Sequence, residues 1–307
     1  ERDSAERALR SFDAYGKLPA RRALARHAIR PNQALRWTKA RIDTHRRLAG
    51  LFVGEREFMK AEETLGAGID IYEDALAKRV LPRTGDFGRL YADLGDIEYF
   101  VAGDLDAAEA DYREAIRNEW DRPEIRYRLG YVGYVKEQWE SALVDFFKAA
   151  QDLPLNRRML FALGNALYRR GDLHAAQGYY SRLNEMLETE RGRFKTLVPN
   201  ERPEHAELAD RIMRVRNNLG VALTELAERN GDARYKSRAL ALYAESAQAW
   251  DALARDPKSM VRSGSTNLAY LNTRGSLYPT SRFVSQIYTE IDKDVLEPSP
   301  WEELLDR

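Results

Sequence analysis

Four histidines are the first side chains to consider for catalysis or metal binding, because the chain has no cysteine. No two of them have the HExxH spacing that places two imidazoles on one helix face around zinc. Glu204-His205 with Glu207 is the nearest approach to a metal cluster, and the charged start of a helix explains it more simply. We therefore predict no metal site and no cofactor. The histidines are His27, His45, His174 and His205.

Nucleophilic and phosphate-binding motifs are also missing from the sequence. It contains no GxxxxGK[ST], no GxGxxG and no GxSxG, so it supports neither a phosphate-binding loop nor a hydrolase site. The absence of cysteine excludes disulfides and thiol catalysis. We predict that the chain is not an enzyme. Its 16 tyrosines and its arginines are better suited to binding, since these two residue types often supply interface energy.

Charge is balanced over the whole chain but not along it. Lys plus Arg equals Asp plus Glu at 49 each, which gives no global attraction to nucleic acid. Residues 1–50 hold thirteen basic and five acidic side chains, whereas residues 81–125 hold five and twelve. Solvated helix faces explain this pattern, and head-to-tail self-association is the alternative. The first twelve residues lack Met and an apolar signal core, so we expect a mature or excised fragment.

A repeated pattern organises the helices that must position the tyrosines and arginines. Residues 123–155 carry Leu129-Gly130, Ala142 and Phe146, and Leu163-Gly164, Ala176 and Tyr180 repeat them 34 residues later. This spacing resembles the tetratricopeptide repeat (TPR), a helix–turn–helix unit of about 34 residues. The resemblance implies an all-α fold, namely a right-handed TPR superhelix (α-solenoid) of about four to five helix pairs with an irregular C-terminal extension.

The same pattern predicts the organisation of the chain. Residues 1–30 form N-terminal helices, and 31–256 form the superhelix, with divergent repeats at 31–80 and 206–256 and regular repeats at 87–190. One extra residue separates Gly95 from Ala108, and seven extra residues separate Gly220 from Ala239. Met186 to Pro203 is predicted to be a loop or a helix extension. The extension 257–307 contains an extended segment, a helix over 280–295 and a tail, with Trp301, Leu304 and Leu305, that caps the stack or docks elsewhere.

The resemblance also implies where partners bind. In TPR proteins the first helix of each pair lines a concave groove that binds partners. The alternative for Tyr131 and Tyr134 is that they pack between helices. Asn165 and Asn218 match two asparagines of the clamp for chaperone tails, but Phe161 replaces its first lysine, so we expect no such clamp. Asp93 and Asp96 also map to the groove. The predicted protein-binding residues are Arg46, Arg47, Tyr99, Tyr127, Arg128, Tyr131, Tyr134, Phe161, Asn165, Tyr168, Arg169, Asn217 and Asn218.

These features predict a non-catalytic protein–protein interaction scaffold that binds partner proteins through the Tyr/Arg groove, with self-association possible. The segment 260–279, MVRSGSTNLAYLNTRGSLYP, resembles the C-terminal region of the periplasmic flagellar collar proteins of spirochaetes. That resemblance implies a structural subunit in the periplasm; without it, the chain is expected in the cytoplasm. The alternative is an RNA- or anion-binding adaptor. It would use the basic residues Arg21, Arg22, Arg26, Arg30, Arg36, Lys39, Arg41, Arg46 and Arg47.

Overall fold

The computed structural model describes residues 1–16, 31–197, 203–255 and 287–306. In these ranges consecutive helices pack as five pairs, from α2–α3 to α10–α11, with α1 packed on α2. The fold is the predicted all-α solenoid. The helices are α1 (Arg2–Gly16), α2 (Pro31–Gly54), α3 (Phe58–Ala77), α4 (Gly85–Ile97), α5 (Leu105–Arg117), α6 (Pro123–Val135), α7 (Trp139–Asp152), α8 (Arg157–Arg170), α9 (Leu173–Leu197), α10 (Pro203–Asn230), α11 (Ala233–Arg255) and α12 (Pro300–Asp306).

The described residues divide into two compact units. Unit 1 comprises residues 1–125 and 296–307, and unit 2 comprises residues 126–295, so the division falls inside α6. The predicted second N-terminal helix and the predicted extended segment after residue 256 lie outside the described residues. The irregular stretch after Met186 begins as a helix extension, because α9 continues to Leu197.

A glycine facing an aromatic ring fixes how closely the two helices of a pair approach. A Cβ built on Gly130 would lie 2.4 Å from Phe146, and one built on Gly164 would lie 2.4 Å from Tyr180. Real Cβ contacts are not that short, so no larger residue fits unless the ring moves. The same contact recurs in four pairs although their sequence spacing differs. The contacts are Gly95 with Tyr112, Gly130 with Phe146, Gly164 with Tyr180 and Gly220 with Tyr243.

The inserted residue of the second pair is accommodated by a π-helical turn. Residues Glu98–Ala102 form this turn at the end of α4, before a left-handed Gly103 with φ of 70°. A π-turn holds one more residue than an α-helical turn, so Gly95 still reaches Tyr112 despite the insertion. The extra residues of the last pair lengthen both of its helices, because α10 continues to Asn230 and α11 begins at Ala233, well before Ala239.

Glycine and aspartate shape the turns between paired helices. Gly171 and Gly231 have φ of 92° and 67°, a conformation that glycine adopts at little cost. After Gly103, the Asp104 carboxylate accepts hydrogen bonds from the backbone N–H groups of Asp106 and Ala107 and so caps α5.

The predicted helix over 280–295 is wrong for the part that the structure describes. Residues 287–295 contain no helical turn, and residues 280–286 lie outside the described ranges. The backbone amide and carbonyls of this segment bond to side chains of the solenoid instead of to each other. Such external partners replace the hydrogen bonds that a helix would have formed internally.

Candidate functional site: an occupied face of unit 2

The first helices of the three pairs in unit 2 share one face, and residues 288–295 of the same chain lie on it. We call the side chains of α6, α8 and α10 that contact residues 288–295 the α6/α8/α10 face, and residues Tyr288–Val295 the C-terminal segment. Asn165 and Asn218 bond near its start, and Asn156 bonds at its end. Because residue numbers fall along α6 and α8 as they rise along the segment, the segment runs antiparallel to these helices.

Side chains of the face hold the segment mainly by its backbone. The Tyr134 hydroxyl donates to the Thr289 carbonyl at 2.8 Å, and the Tyr127 hydroxyl donates to the Asp292 carbonyl at 2.8 Å. Burial raises the pKa of Tyr134 to about 12, and burial together with the nearby Asp292 carboxylate raises the pKa of Tyr127 well above its usual value. Both phenols therefore stay protonated and act as donors at any physiological pH.

Two buried asparagines form hydrogen bonds with both backbone polar groups of Tyr288, its N–H and its carbonyl. Asn218 accepts from the Tyr288 backbone N–H at 2.8 Å and donates to its carbonyl at 3.0 Å, and Asn165 donates to the same carbonyl at 2.8 Å. The Asn165 oxygen in turn accepts from Asn218 and from the Tyr180 hydroxyl. Asn165, Asn218 and Tyr180 are fully buried, so this network depends on the segment for its remaining partners.

An aspartate anchors the other end of the segment. The Arg128 guanidinium donates to the Asp294 carboxylate at 3.1 Å, and Arg158 donates to the Asp294 carbonyl at 3.0 Å. Asp294 is 0% exposed and Arg128 is 5% exposed, so this ion pair is shielded from solvent. Breaking such a pair is costly because it leaves an uncompensated buried charge.

The turn before α8 contributes a residue with two roles. The Asn156 Oδ1 caps α8 by accepting from the Met159 N–H at 3.0 Å. Its amide nitrogen donates to the Val295 carbonyl at 2.9 Å. The same side chain therefore starts α8 and fixes the end of the segment.

A cavity of about 290 Å³ lies beside the segment in unit 2. Its walls include apolar side chains such as Phe161 and Leu187 and the arginines Arg157 and Arg214. Arg157 is paired with Glu190, and Arg214 is paired with Asp210, so these charges are already matched. The cavity is thus a mixed apolar and charged space, with Ile291 of the segment in its wall.

The other predicted residues of unit 2 lie on the same helices and make different contacts. Tyr131 is half-buried, and burial with the Glu290 charge raises its pKa. The Tyr168 hydroxyl donates to Glu225. Arg169 is exposed, bonds Glu137 at 3.0 Å and covers the ring of Trp139. Phe161 lines the cavity, and the Asn217 amide contacts Asn218.

In unit 1 the predicted binding residues Tyr99, Arg46 and Arg47 have different surroundings from those of unit 2. Tyr99 is fully buried and packs against Phe100 and Tyr112, so in this conformation it offers no surface to a partner. It lies in the π-turn at Glu98–Ala102. Arg47 is exposed, and Arg46 is close enough to Asp93 to lower its pKa. Burial has the larger effect and raises the Asp93 pKa to about 6.

The tail follows the second of its two predicted alternatives. Within unit 1, the Trp301 indole N–H donates to Asp96 at 3.1 Å, and its ring stacks on Phe100 at 5.4 Å. Arg56, in the turn between α2 and α3, donates to the carbonyls of Leu304 and Leu305. The tail therefore docks at the second helix pair of unit 1.

Sequence reasoning missed the occupant of the face and two of its anchors, Asn156 and Arg158. The sequence did contain a signal for Asn156, because asparagine directly before a helix is a preferred N-cap residue. Such a cap lies in the turn that leads into the first helix of a TPR pair. Arg158 is 9% exposed, but it sits within a helical stripe where arginine is ordinarily solvated. No local signal marked it as a ligand of a distant carbonyl.

The described residues, 1–16, 31–197, 203–255 and 287–306, form neither a metal cluster nor a membrane span. No group of three or more His, Asp or Glu side chains there is arranged to hold a metal ion. None of the described helices has an apolar stretch long enough to cross a bilayer.

Comparison with known proteins identifies the fold. No family model and no curated protein sequence matches the chain. Among solved structures, YrrB, described as a TPR protein with an unusual peptide-binding site, aligns with a TM-score of 0.51 and 17% identity, over 72% of this chain and 93% of its own. The C-terminal part of a TPR protein from Cytophaga hutchinsonii aligns with a TM-score of 0.46 and 15% identity, over 84% and 96%.

A third structure, pilF of Pseudomonas aeruginosa, aligns with a TM-score of 0.39 and 15% identity, over 70% of this chain and 86% of its own. At these identities the likeness concerns the fold alone. The chain has the fold of TPR proteins, as the repeat spacing predicted.

Proposed function

We propose that this chain is a non-catalytic protein-interaction scaffold whose α6/α8/α10 face binds an extended peptide. The observation that carries the proposal is the C-terminal segment itself, which lies on this face through backbone hydrogen bonds from Tyr127, Tyr134, Asn165 and Asn218. Backbone bonds of this kind give affinity for an extended chain, and side-chain pockets give specificity. The likeness to YrrB, a TPR protein with a peptide-binding site, agrees with this function.

The residues of the segment define the ligand chemistry. Its side chains include Glu290, Asp292 and Asp294, with Lys293 as the one basic residue, so the ligand is acidic. Arg128 meets Asp294, and the neighbouring Arg158 also faces the segment. A partner that fits is therefore an extended, acidic peptide with an aspartate at the position of Asp294.

The test is binding of a labelled peptide of residues 287–296, IYTEIDKDVL, to the full chain carrying Asp294→Lys. That substitution places a second cation beside Arg128, which disfavours the chain's own segment and leaves the face intact. Fluorescence anisotropy should show saturable binding, and a peptide with asparagine at position 294 should bind at least about tenfold more weakly. Saturable binding that is equal for both peptides would contradict recognition of Asp294, and no binding at all would contradict the function.

A finer proposal concerns cellular context. The segment 260–279 resembles spirochaete flagellar collar proteins, which supports a structural role in a periplasmic assembly. Fractionation of the source cells tests it. Recovery with periplasmic or envelope proteins is expected, and exclusive recovery with cytosolic proteins would refute it.

A further inference from the structure

The α6/α8/α10 face binds a segment of its own chain, and this raises the question of which molecule supplies the segment. We propose that the C-terminal segment also binds the same face of a second copy, so that copies associate by exchanging it. The inference rests on the proposed function, because it requires the face to accept a peptide in trans.

The face needs an occupant. Asn165 and Asn218 are fully buried, and Arg128 is 5% exposed, yet each bonds to the segment. If the segment left and nothing replaced it, these groups would have to be rehydrated within an indented surface. A buried polar group without a partner is destabilising, so the favourable path is replacement by another ligand with the same groups.

A second copy supplies those groups by construction. Its segment offers the same carbonyls at Tyr288, Thr289 and Asp292 and the same carboxylate at Asp294. The contacts made in trans are therefore identical to those made in cis. The segment's own contacts do not distinguish the two arrangements, which differ in the effective concentration of the segment and in the docking of the tail that follows it.

Chain connectivity permits the exchange. Residues 256–286 separate the end of α11 at Arg255 from the segment, which is 31 residues. A connection of that length can span up to about 100 Å when fully extended. The length of the connection thus does not restrict the segment to the face of its own copy.

Charge also distinguishes donor and acceptor surfaces. The segment carries two more acidic than basic side chains, while Arg128 and Arg158 face it from α6 and α8. The Arg128–Asp294 pair can be divided between two molecules. One variant can then have a defective segment and the other a defective face, so the proposal can be tested with complementary variants.

The experiment uses two full-length variants. Asp294→Lys has an intact face and a defective segment, whereas Arg128→Glu has an intact segment and a defective face. Each variant alone places like charges together in cis and should sediment as a monomer. In an equimolar mixture, exchange restores Arg128–Asp294 in one direction and pairs the substituted residues in the other, so the sedimenting mass should double.

The control is the double variant Arg128→Glu/Asp294→Lys, which restores opposite charges within one chain. It should remain monomeric at concentrations where the mixture is dimeric. A mixture that stays monomeric would overturn the exchange. If the labelled peptide still binds the Asp294→Lys chain in that case, the peptide-binding function survives; if the peptide also fails to bind, both proposals fall.

Helix content by circular dichroism establishes that each variant is folded. Should Arg128→Glu lose helix content, Asn218→Ala replaces it as the donor, since this change weakens the face at Tyr288 and leaves the segment unaltered. A dimer of Asn218→Ala with Asp294→Lys supports exchange, and its absence contradicts exchange in the same way.

Discussion

At the scale of single residues, stability rests on glycines that allow aromatic side chains to pass close to a helix backbone. Gly164 is the clearest case, because a Cβ there would lie 2.4 Å from the ring of Tyr180. Tyr180 is fully buried and bonds to Asn165, so it has no free space into which to move. The requirement for glycine at this position therefore follows from packing and not from backbone conformation.

We predict that Gly164→Ala lowers the free energy of unfolding by about 1–3 kcal/mol, as overpacking of a core does. The matched control is Gly178→Ala, since Gly178 is exposed on α9 with nothing within 4 Å of a new Cβ. That control should be neutral or stabilising by up to about 1 kcal/mol, because alanine favours the helix. Urea denaturation measures both. Equal effects at the two positions would show that the ring contact is unimportant.

A second residue-scale prediction concerns two carboxyls in unit 1. Burial and the proximity of Asp111, Asp104 and Glu62 raise the pKa of Glu98 from 4.5 to about 8. The folded state thus keeps a proton, between about pH 4.5 and 8, that the unfolded chain has released. The free energy of unfolding must therefore decrease as the pH rises through this window. Burial also raises the pKa of Asp111 to about 6, which adds a decrease over the lower part of the window.

Glu98→Gln removes this proton uptake. We expect the variant to match the wild type near pH 5, where Glu98 is protonated, and to have the higher melting temperature near pH 9. The exposed Glu63, changed to glutamine, serves as the control and should follow the wild-type profile. Thermal unfolding followed across pH 5–9 provides the comparison. A Glu98→Gln profile parallel to the wild type would refute the assignment.

At the scale of helices and turns, caps decide where each element starts. Asp104 accepts from two backbone N–H groups at 3.1 and 3.0 Å at the start of α5. We predict that Asp104→Ala costs about 1 kcal/mol of stability, whereas Asp104→Asn costs little because asparagine retains the acceptor. Urea titrations of the two variants make the test. A loss of equal size in both would assign the effect to charge and not to the cap.

The tail is a separate element held by the contacts of Trp301 and by the hydrogen bonds from Arg56 to its last turn. Trp301 stacks on Phe100 and bonds Asp96, whereas Leu305 is 38% exposed. We expect Trp301→Ala to abolish hydrogen-exchange protection of residues 296–306, because the stacked ring and its hydrogen bond are both lost. Leu305→Ala should leave the protection nearly unchanged. Undiminished protection in Trp301→Ala would mean that other contacts hold the tail.

Local periodicity was sufficient to predict the solenoid but not its occupied face. The 34-residue spacing located the helix pairs. The extra residue before Ala108 is accommodated by the π-turn at Glu98–Ala102. The prediction of a helix over 280–295 is wrong at residues 287–295. It rested on the local spacing of Ile287, Tyr288 and Ile291, which looked like the apolar face of a helix. Its hydrogen-bond partners lie between 70 and 166 residues away in the sequence. No local pattern can register bonds over such a separation.

At the scale of the whole chain, the uneven charge suggested head-to-tail association, but unit 1 already neutralises part of it. Arg2 pairs with Glu6 on its own helix and with Glu55 in the turn after α2. Arg2 is thus a basic side chain whose charge is matched by the fold. The C-terminal segment offers a different route to assembly, through a shielded ion pair and backbone hydrogen bonds.

The two routes predict opposite responses to salt. Association through exposed charges weakens as the Debye length falls from about 10 Å at 0.1 M to about 3 Å at 1 M. The Arg128–Asp294 pair is shielded from solvent, so association by exchange should persist at both ionic strengths. We therefore predict that wild-type oligomers appear as the protein concentration is raised and that they form slowly, because the segment must first leave its own face. Their mass in light scattering should stay the same at 1 M salt. A mass that returns to the monomer as salt is added would assign association to the charged surfaces instead.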